Sequence, residues 1–322
     1  MRIYKDKDAN LRYLKGKRIA IIGYGSQGKA QALNLRDSGM DVIIGLHKRS
    51  RSTVKAKKDH FPVYPTEKAA ESGNVIALLA PDHLHKEIFD NQIRDHLGPN
   101  KTLIFAHAFS VHFNLVLPPR FVDVILVAPH GPGELTRERY LDIKGITSFI
   151  AIHQDYSKKA RKIALAYARA IGATRGGAML TTFKDEAIGD LFGEQAVLCG
   201  GLAELIKAGF ETLVEDGLSP ENAYLECVHQ IDLIVELIKK YGIAGMFDRI
   251  SQIAEYGSYL SGKKVINKAQ MKKILNQVKN GTFARKWFKE QKTQMKNYKR
   301  VKKSYQTHLL EKISQKMRKN LL

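Results

Sequence analysis

Cysteine is scarce in this chain: Cys199 and Cys227 are the only two in 322 residues. A disulfide framework is therefore not expected, and a reducing compartment is. No apolar run is long enough to span a bilayer. The opening stretch Met1-Arg2-Ile3-Tyr4-Lys5-Asp6 lacks the apolar core of a secretory signal. The expectation is a cytoplasmic protein with no membrane partner. Acidic residues are thin toward the C-terminus, where residues 263–322 hold nineteen Lys or Arg against Glu290 and Glu311. That end carries most of the formal net charge of +21. Its aromatics, Trp287 and Tyr298 among them, would suit single-stranded nucleic acid. Ile313, Met317 and Leu321 recur at helical spacing, however, so a solvated lysine-rich helix is the plainer account. Nucleic acid is not the expected partner.

A second absence is more specific. The apolar run Ile19-Ala20-Ile21-Ile22 leads into Gly23-Tyr24-Gly25-Ser26-Gln27-Gly28 and then into the helical stretch Lys29–Leu35. Strand, Gly-x-Gly-x-x-Gly, helix is the arrangement that seats a dinucleotide pyrophosphate on a helix N-terminus. Its glycines serve a tight turn, backbone approach and close helix–strand packing. The competing account is a merely tight βα turn. In this arrangement an Asp or Glu about 20 residues on binds the ribose 2′-hydroxyl of NAD. Here the second strand, Asp41–Leu46, runs into His47-Lys48-Arg49-Ser50-Arg51-Ser52, with no acid. Cations and hydroxyls suit a 2′-phosphate, so NADPH is expected over NADH. A solvated basic loop is the bland alternative.

Up to about residue 182, strand-like runs alternate with helical segments: 75–79, 102–106, 122–127 and 148–152 are the clearest. This rhythm predicts an α/β, Rossmann-like, parallel doubly wound sheet over residues 1–182. Beyond it, 193–215, 220–241 and 244–260 read as long amphipathic helices, with Ser219 as N-cap and Pro220 at the first helical position. Residues 183–322 are thus expected to form a separate all-α domain. Within it, Asp190 and Glu194 stand four apart on one helical face, and Glu226 lies in a second helix. Three carboxylates would suit Mg²⁺, a hard cation that prefers oxygen. Solvent-facing acids at helix starts would look the same.

Several blocks together resemble one family. They are the Tyr24–Gly28 loop, Asn34–Gly39, Ala106-His107, Val127-Ala128-Pro129 with Gly131-Pro132-Gly133, Asp190–Gly201, and Ala254–Gly257. All are similar to ketol-acid reductoisomerase in its short form, collinearly from about residue 2 to 290. The resemblance implies Mg²⁺-dependent alkyl migration in a 2-acetohydroxy acid, then NADPH reduction to a 2,3-dihydroxy acid, as in branched-chain amino acid biosynthesis. It implies a knotted helical domain and a homodimer or larger assembly. It assigns cofactor contacts to Tyr24, Gly25, Ser26, Gln27, His47, Arg49, Ser50, Ser52, Asp82 and Gly133. His107 and His130 fall at catalytic positions. Asp190, Glu194, Glu226 and Gln230 fall at metal positions, and Ser251 at a substrate-carboxylate position. Glu226 and Ser251 would come from the partner chain.

The departures from that family concentrate on one step. Gln230 stands where a fourth metal-site glutamate is usual, which makes the second Mg²⁺ site doubtful. His130 replaces a lysine, and an imidazole with an ordinary pKa of about 6.5 is mostly neutral at pH 7. Smaller changes are His47 for arginine, Ala108 for glycine and Ser110 for asparagine. These substitutions keep two alternatives open: a reductase-only paralogue acting on a 2-keto acid or imine, and a non-catalytic dimer binding a polyanion through its basic tail.

Overall fold

Residues 2–321 are described by a computed structural model. The chain divides into two compact units, Met1–Gly189 and Asp190–Leu322. Nine strands lie in the first: β1 Ile3–Tyr4, β2 Arg18–Ile22, β3 Asp41–Leu46, β4 Val63–Pro65, β5 Val75–Leu78, β6 Thr102–Phe105, β7 Asp123–Pro129, β8 Ser148–Gln154 and β9 Ala178–Leu180. They form one sheet in the order β1-β9-β8-β7-β6-β5-β2-β3-β4. Strands β2 to β7 pair in parallel, as the alternating rhythm predicts. Two departures from a parallel sheet lie toward one edge. Strand β8 runs antiparallel to β7, and β1 antiparallel to β9.

The strands are apolar on both faces because both faces are covered. Ile19, Ile21, Ile44, Val75 and Ala77 pack with Leu33, Leu35 and the Ala-rich helix Ala160–Ala170. Ala20, Ile22, Ile76, Leu78 and Phe105 pack on the other side with Phe89, Ile93 and Phe183. Each fully buried Ile or Leu contributes about 1.5–3 kcal/mol, so two faces of such side chains hold the strand ends rigid. Strands β2 and β5 are neighbours although β3 and β4 intervene in sequence. The chain order reverses there, and in open α/β sheets that point is where ligands bind.

The second unit is helical. A helix Phe183–Gly193 crosses the boundary between the units and continues as a π-helical turn, Glu194–Leu198, before the helix Gly200–Glu215. Likewise Pro220–Tyr224 passes into a π turn, Leu225–His229, and then into Ile231–Phe247. Ser219 caps the 220 helix, its Oγ accepting from Asn222 N–H at 3.3 Å. The expected helix over 244–260 is instead broken at residues 248–251. Ser251 adopts an extended conformation there and accepts from Ala254 N–H at 3.2 Å, starting a new helix, Gln252–Val265. The basic C-terminus is not a loose arm. Met317 is buried with Phe210, Ala223 and Tyr224, Lys316 Nζ donates to Glu221 at 2.6 Å, and His308 Nε2 lies 2.9 Å from Glu211 Oε1.

Candidate functional site

The glycine signature folds as its residue types require. Gly23 has φ +98, and a Cβ there would meet the Ala80 backbone at 2.7 Å. A Cβ on Gly28 would come within 2.3 Å of Gly23 O, so helix Ser26–Asp37 packs against its own strand only because position 28 is glycine. Gly25 differs from both: a Cβ there would meet nothing within 4 Å. The backbone at the helix N-terminus therefore faces open space, as a group approaching its N–H donors needs. That space is a cavity of about 290 Å³ at the β2/β5 switch point. Gly25–Gln27, the segment Leu78–Asp82, His85, Ala106 and His107 line it.

The side chains of the signature serve different ends. Tyr24 is 4% exposed, and its hydroxyl donates to Asp59 at 2.8 Å, with Lys29 on the same carboxylate at 3.0 Å. Burial pushes the Tyr24 phenol well up. Only the backbone of Tyr24 thus faces a cofactor. Ser26 Oγ accepts from Gly133 N–H at 3.0 Å, and Gln27 donates to Gly131 O at 2.7 Å. A Cβ at Gly133 would sit 2.0 Å from Ser26 O. The glycine loop is therefore fastened to the turn that bears His130. His130 itself is exposed, with Nδ1 3.3 Å from Thr147 Oγ1 and its ring edge-on to Phe149 at 4.3 Å.

Past β3, His47, Lys48 and Arg49 are exposed on one turn, closed by Ser50 N–H to His47 O at 2.9 Å. Ser50 Oγ accepts from Ser52 N–H at 3.3 Å. Cations and hydroxyls are thus grouped at the β3 end, as a 2′-phosphate site would require. Across the cavity, His107 Nδ1 lies 3.9 Å from Asp82 Oδ2, and His107 stacks on Phe109. Desolvation pushes the Asp82 carboxyl up, but contact with His107 and the charge of the neighbouring imidazoles outweigh it. The carboxyl ends below its ordinary value.

Two buried residues here escape a reading of local sequence. Glu186 is 4% exposed and accepts from Ala108 N–H at 2.8 Å, holding the loop beyond His107. His85 is 3% exposed, bonded to Ala80 O and Ser110 Oγ, each at 2.8 Å. Nothing in Lys184-Asp185-Glu186 or His83-Leu84-His85 separates these from surface charges. Their partners lie 78 and 25 residues away.

In the helical unit, Asp190, Glu194, Glu226, Gln230 and Ser251 are all exposed. Glu194 and Glu226 each lie in a π turn. Gln230 Nε2 donates to Leu225 O at 3.3 Å and lies 3.5 Å from Glu226 Oε2. Among the described residues, no three His, Cys, Asp or Glu side chains gather to hold a metal.

The chain matches known proteins over its whole length. Residues 13–177 match the NADPH-binding domain of acetohydroxy acid isomeroreductase, and residues 183–321 the ketol-acid reductoisomerase C-terminal domain. An NADH-preferring ketol-acid reductoisomerase from an uncultured archaeon is 43% identical, with a TM-score of 0.96 over 100% of this chain and 99% of that one. A semialdehyde dehydrogenase NAD-binding protein from Cupriavidus necator, solved with calcium and NAD, is 18% identical with a TM-score of 0.64. That match covers 82% of this chain and 99% of the other. A Plasmodium falciparum pyrroline carboxylate reductase with NADP bound is 15% identical at 0.53, covering 83% and 98%. The last two share the fold alone. With both domains matched and one relative aligned end to end, the chain belongs to the ketol-acid reductoisomerase family and is an NAD(P)H-dependent oxidoreductase.

Proposed function

We propose that the chain converts a 2-acetohydroxy acid to a 2,3-dihydroxy acid with NADPH and Mg²⁺, as a cytoplasmic homodimer or larger assembly with a knotted helical domain. The observation that carries this reading is the end-to-end match to a ketol-acid reductoisomerase at 43% identity. The alkyl group leaves C2 for C3 as the C2 hydroxyl becomes a carbonyl and the C3 carbonyl a hydroxyl. A hydride and a proton then reduce C2. When bound, NADPH supplies the hydride and Mg²⁺ supplies charge that polarises the substrate oxygens.

The chain's own residues divide the remaining work. Open space over Gly25 and the N–H donors of helix Ser26–Asp37 fit a pyrophosphate. His47, Arg49, Ser50 and Ser52 would hold the 2′-phosphate, which favours NADPH although the relative prefers NADH. Asp82 and Gly133 would border the cofactor. His107 and His130, both imidazoles with a donor and an acceptor face, would hold or pass protons at the substrate oxygens. Asp190, Glu194 and Glu226 offer carboxylate oxygens, the donor chemistry that Mg²⁺ takes, and Gln230 a weaker amide oxygen. We assign completion of this site to a second copy, which would supply Glu226 and Ser251. Ser251 Oγ accepts from Ala254 N–H, leaving its O–H to donate to a substrate carboxylate. Support for a second copy comes from apolar side chains exposed on the helical unit, Ile253 at 87% and Leu198 at 68% among them. Neither alternative, reductase-only or polyanion binder, is favoured, because the reductoisomerase C-terminal domain matches through residue 321.

The test follows NADPH oxidation by the purified chain with Mg²⁺, offered 2-acetolactate and, separately, its rearranged 3-hydroxy-2-keto isomer. Turnover of both is expected. Turnover of the isomer alone would refute the alkyl-migration half of the proposal.

A further inference from the structure

His85 has no part in the chemistry above, yet it is the most enclosed imidazole on the cavity wall. Its ring sits against Phe105 at 6.0 Å with 3% of the residue exposed. Nε2 lies 2.8 Å from Ala80 O, which can only accept, so this nitrogen carries the proton. Nδ1 is then an acceptor, and it meets Ser110 Oγ, itself fully buried, at 2.8 Å. One tautomer therefore satisfies both nitrogens, and burial favours this neutral form. Ala80 ends the β5 strand segment, three residues before His85's own short helix, while Ser110 starts the turn beyond β6. The ring thus ties together two loops that are joined here by side chains alone. One loop carries Asp82, whose Oδ1 is 3.6 Å from His85 Nδ1, and the other carries His107.

We propose that His85 is a positioning residue for the nicotinamide-cofactor cavity: its two hydrogen bonds, to Ala80 and Ser110, set the spacing of Asp82 and His107. The proposal rests on the assignment of that cavity to the cofactor. His85 touches neither cofactor nor substrate; it acts through the loops it joins. Glu186 braces the same His107 loop from its other side through Ala108 N–H. With that brace in place, the spacing across the cavity has His85 as its adjustable member.

The experiment measures NADPH affinity by nucleotide fluorescence in the absence of Mg²⁺ and substrate. Wild type is compared with His85→Phe, Ser110→Ala, the double variant and His85→Gln. Phenylalanine keeps the volume and loses both bonds, whereas the glutamine amide offers a donor and an acceptor at similar reach. His85→Phe and Ser110→Ala are each expected to weaken binding about tenfold. The double variant should be no weaker than the worse single one, because both remove the same link. His85→Gln should restore affinity to within about twofold. Ser110→Ala keeps the test decisive should His85→Phe fail to fold. Wild-type binding with unchanged affinity in folded Ser110→Ala, or penalties that multiply in the double variant, would overturn the proposal alone. Wild type binding neither NADPH nor NADH would overturn the cofactor assignment, and this inference with it.

Discussion

The side-chain amide of Gln27 donates to Gly131 O at 2.7 Å, joining the first turn of the glycine-loop helix to the turn bearing His130. Ser26 repeats the link to Gly133 N–H at 3.0 Å. Cofactor loop and catalytic turn are one piece of backbone in mechanical terms. Gln27→Ala is expected to keep NADPH affinity within a fewfold while lowering kcat by about tenfold, since the lost bond displaces His130 rather than the phosphate donors. A Kd measurement beside steady-state kinetics checks the split; a changed Kd with unchanged kcat would refute it.

Gly133→Ala tests the same junction by crowding. The added methyl would lie 2.0 Å from Ser26 O, a backbone atom with no rotamer to yield. Overpacking of this kind costs about 1–3 kcal/mol. Urea unfolding should show a lower midpoint for Gly133→Ala than for Gly25→Ala, whose methyl meets nothing.

Nucleotide preference should track the exposed cations after β3. Arg49→Ala is expected to weaken NADPH binding about tenfold, the scale of one charge-assisted hydrogen bond. NADH, lacking the 2′-phosphate, should be unaffected. Equal losses for both nucleotides in parallel titrations would show that Arg49 serves the fold or the pyrophosphate instead.

Restoring a carboxylate at position 230 should strengthen divalent-ion binding. Gln230 already points toward Glu226, 3.5 Å away, so Gln230→Glu places a second negative charge beside the first. Calorimetric Mg²⁺ titration of the assembled protein is expected to show at least a severalfold tighter site. A compensating cost is acid-dependent repulsion between the two carboxylates when no ion is bound.

Acid should destabilise the first unit in two stages. Burial lowers the pKa of His85, and desolvation does the same for His112 and His153. For each, the unfolded chain takes up a proton that the folded chain refuses. Stability is therefore fully present above the ordinary histidine value of about 6.5 and falls as pH drops below it. Asp82 and Asp59 have lowered values, so their contribution is lost only at lower pH, as the folded carboxyls protonate. Denaturation midpoints from pH 8 to 4 should slope downward from about 6.5, and His85→Phe should flatten part of that slope.

Much of this was legible before any coordinates. Strand β3 spans the same residues, Asp41–Leu46, as its apolar run, and Gly23 and Gly28 do what their spacing implies. Ser219 and Pro220 begin a helix where local capping chemistry says one must begin. Direction of pairing was not legible, because a strand such as β8 carries the same side chains whether it runs with or against β7. The break before Ser251 was missed because the apolar spacing continues across it. His85 and Glu186 were hidden for a different reason: their burial is decided by residues far along the chain. The π turns at 194–198 and 225–229 escaped notice because periodicity is read with one fixed repeat.

Those two π turns have a bearing on length. Each carries one residue more than an α-helical turn would, so Glu194 and Glu226 both border a surplus residue. Removing a single residue from 195–198 would regularise the helix and advance everything after it by about 100°. Asp190 and Glu194 would keep their mutual phase, while the helix Gly200–Glu215 would present a different side to Tyr224 and Met317. A one-residue deletion there would thus act as a rotation of the scaffold rather than a shortening, and insertions or deletions in this stretch should be far less tolerated than substitutions.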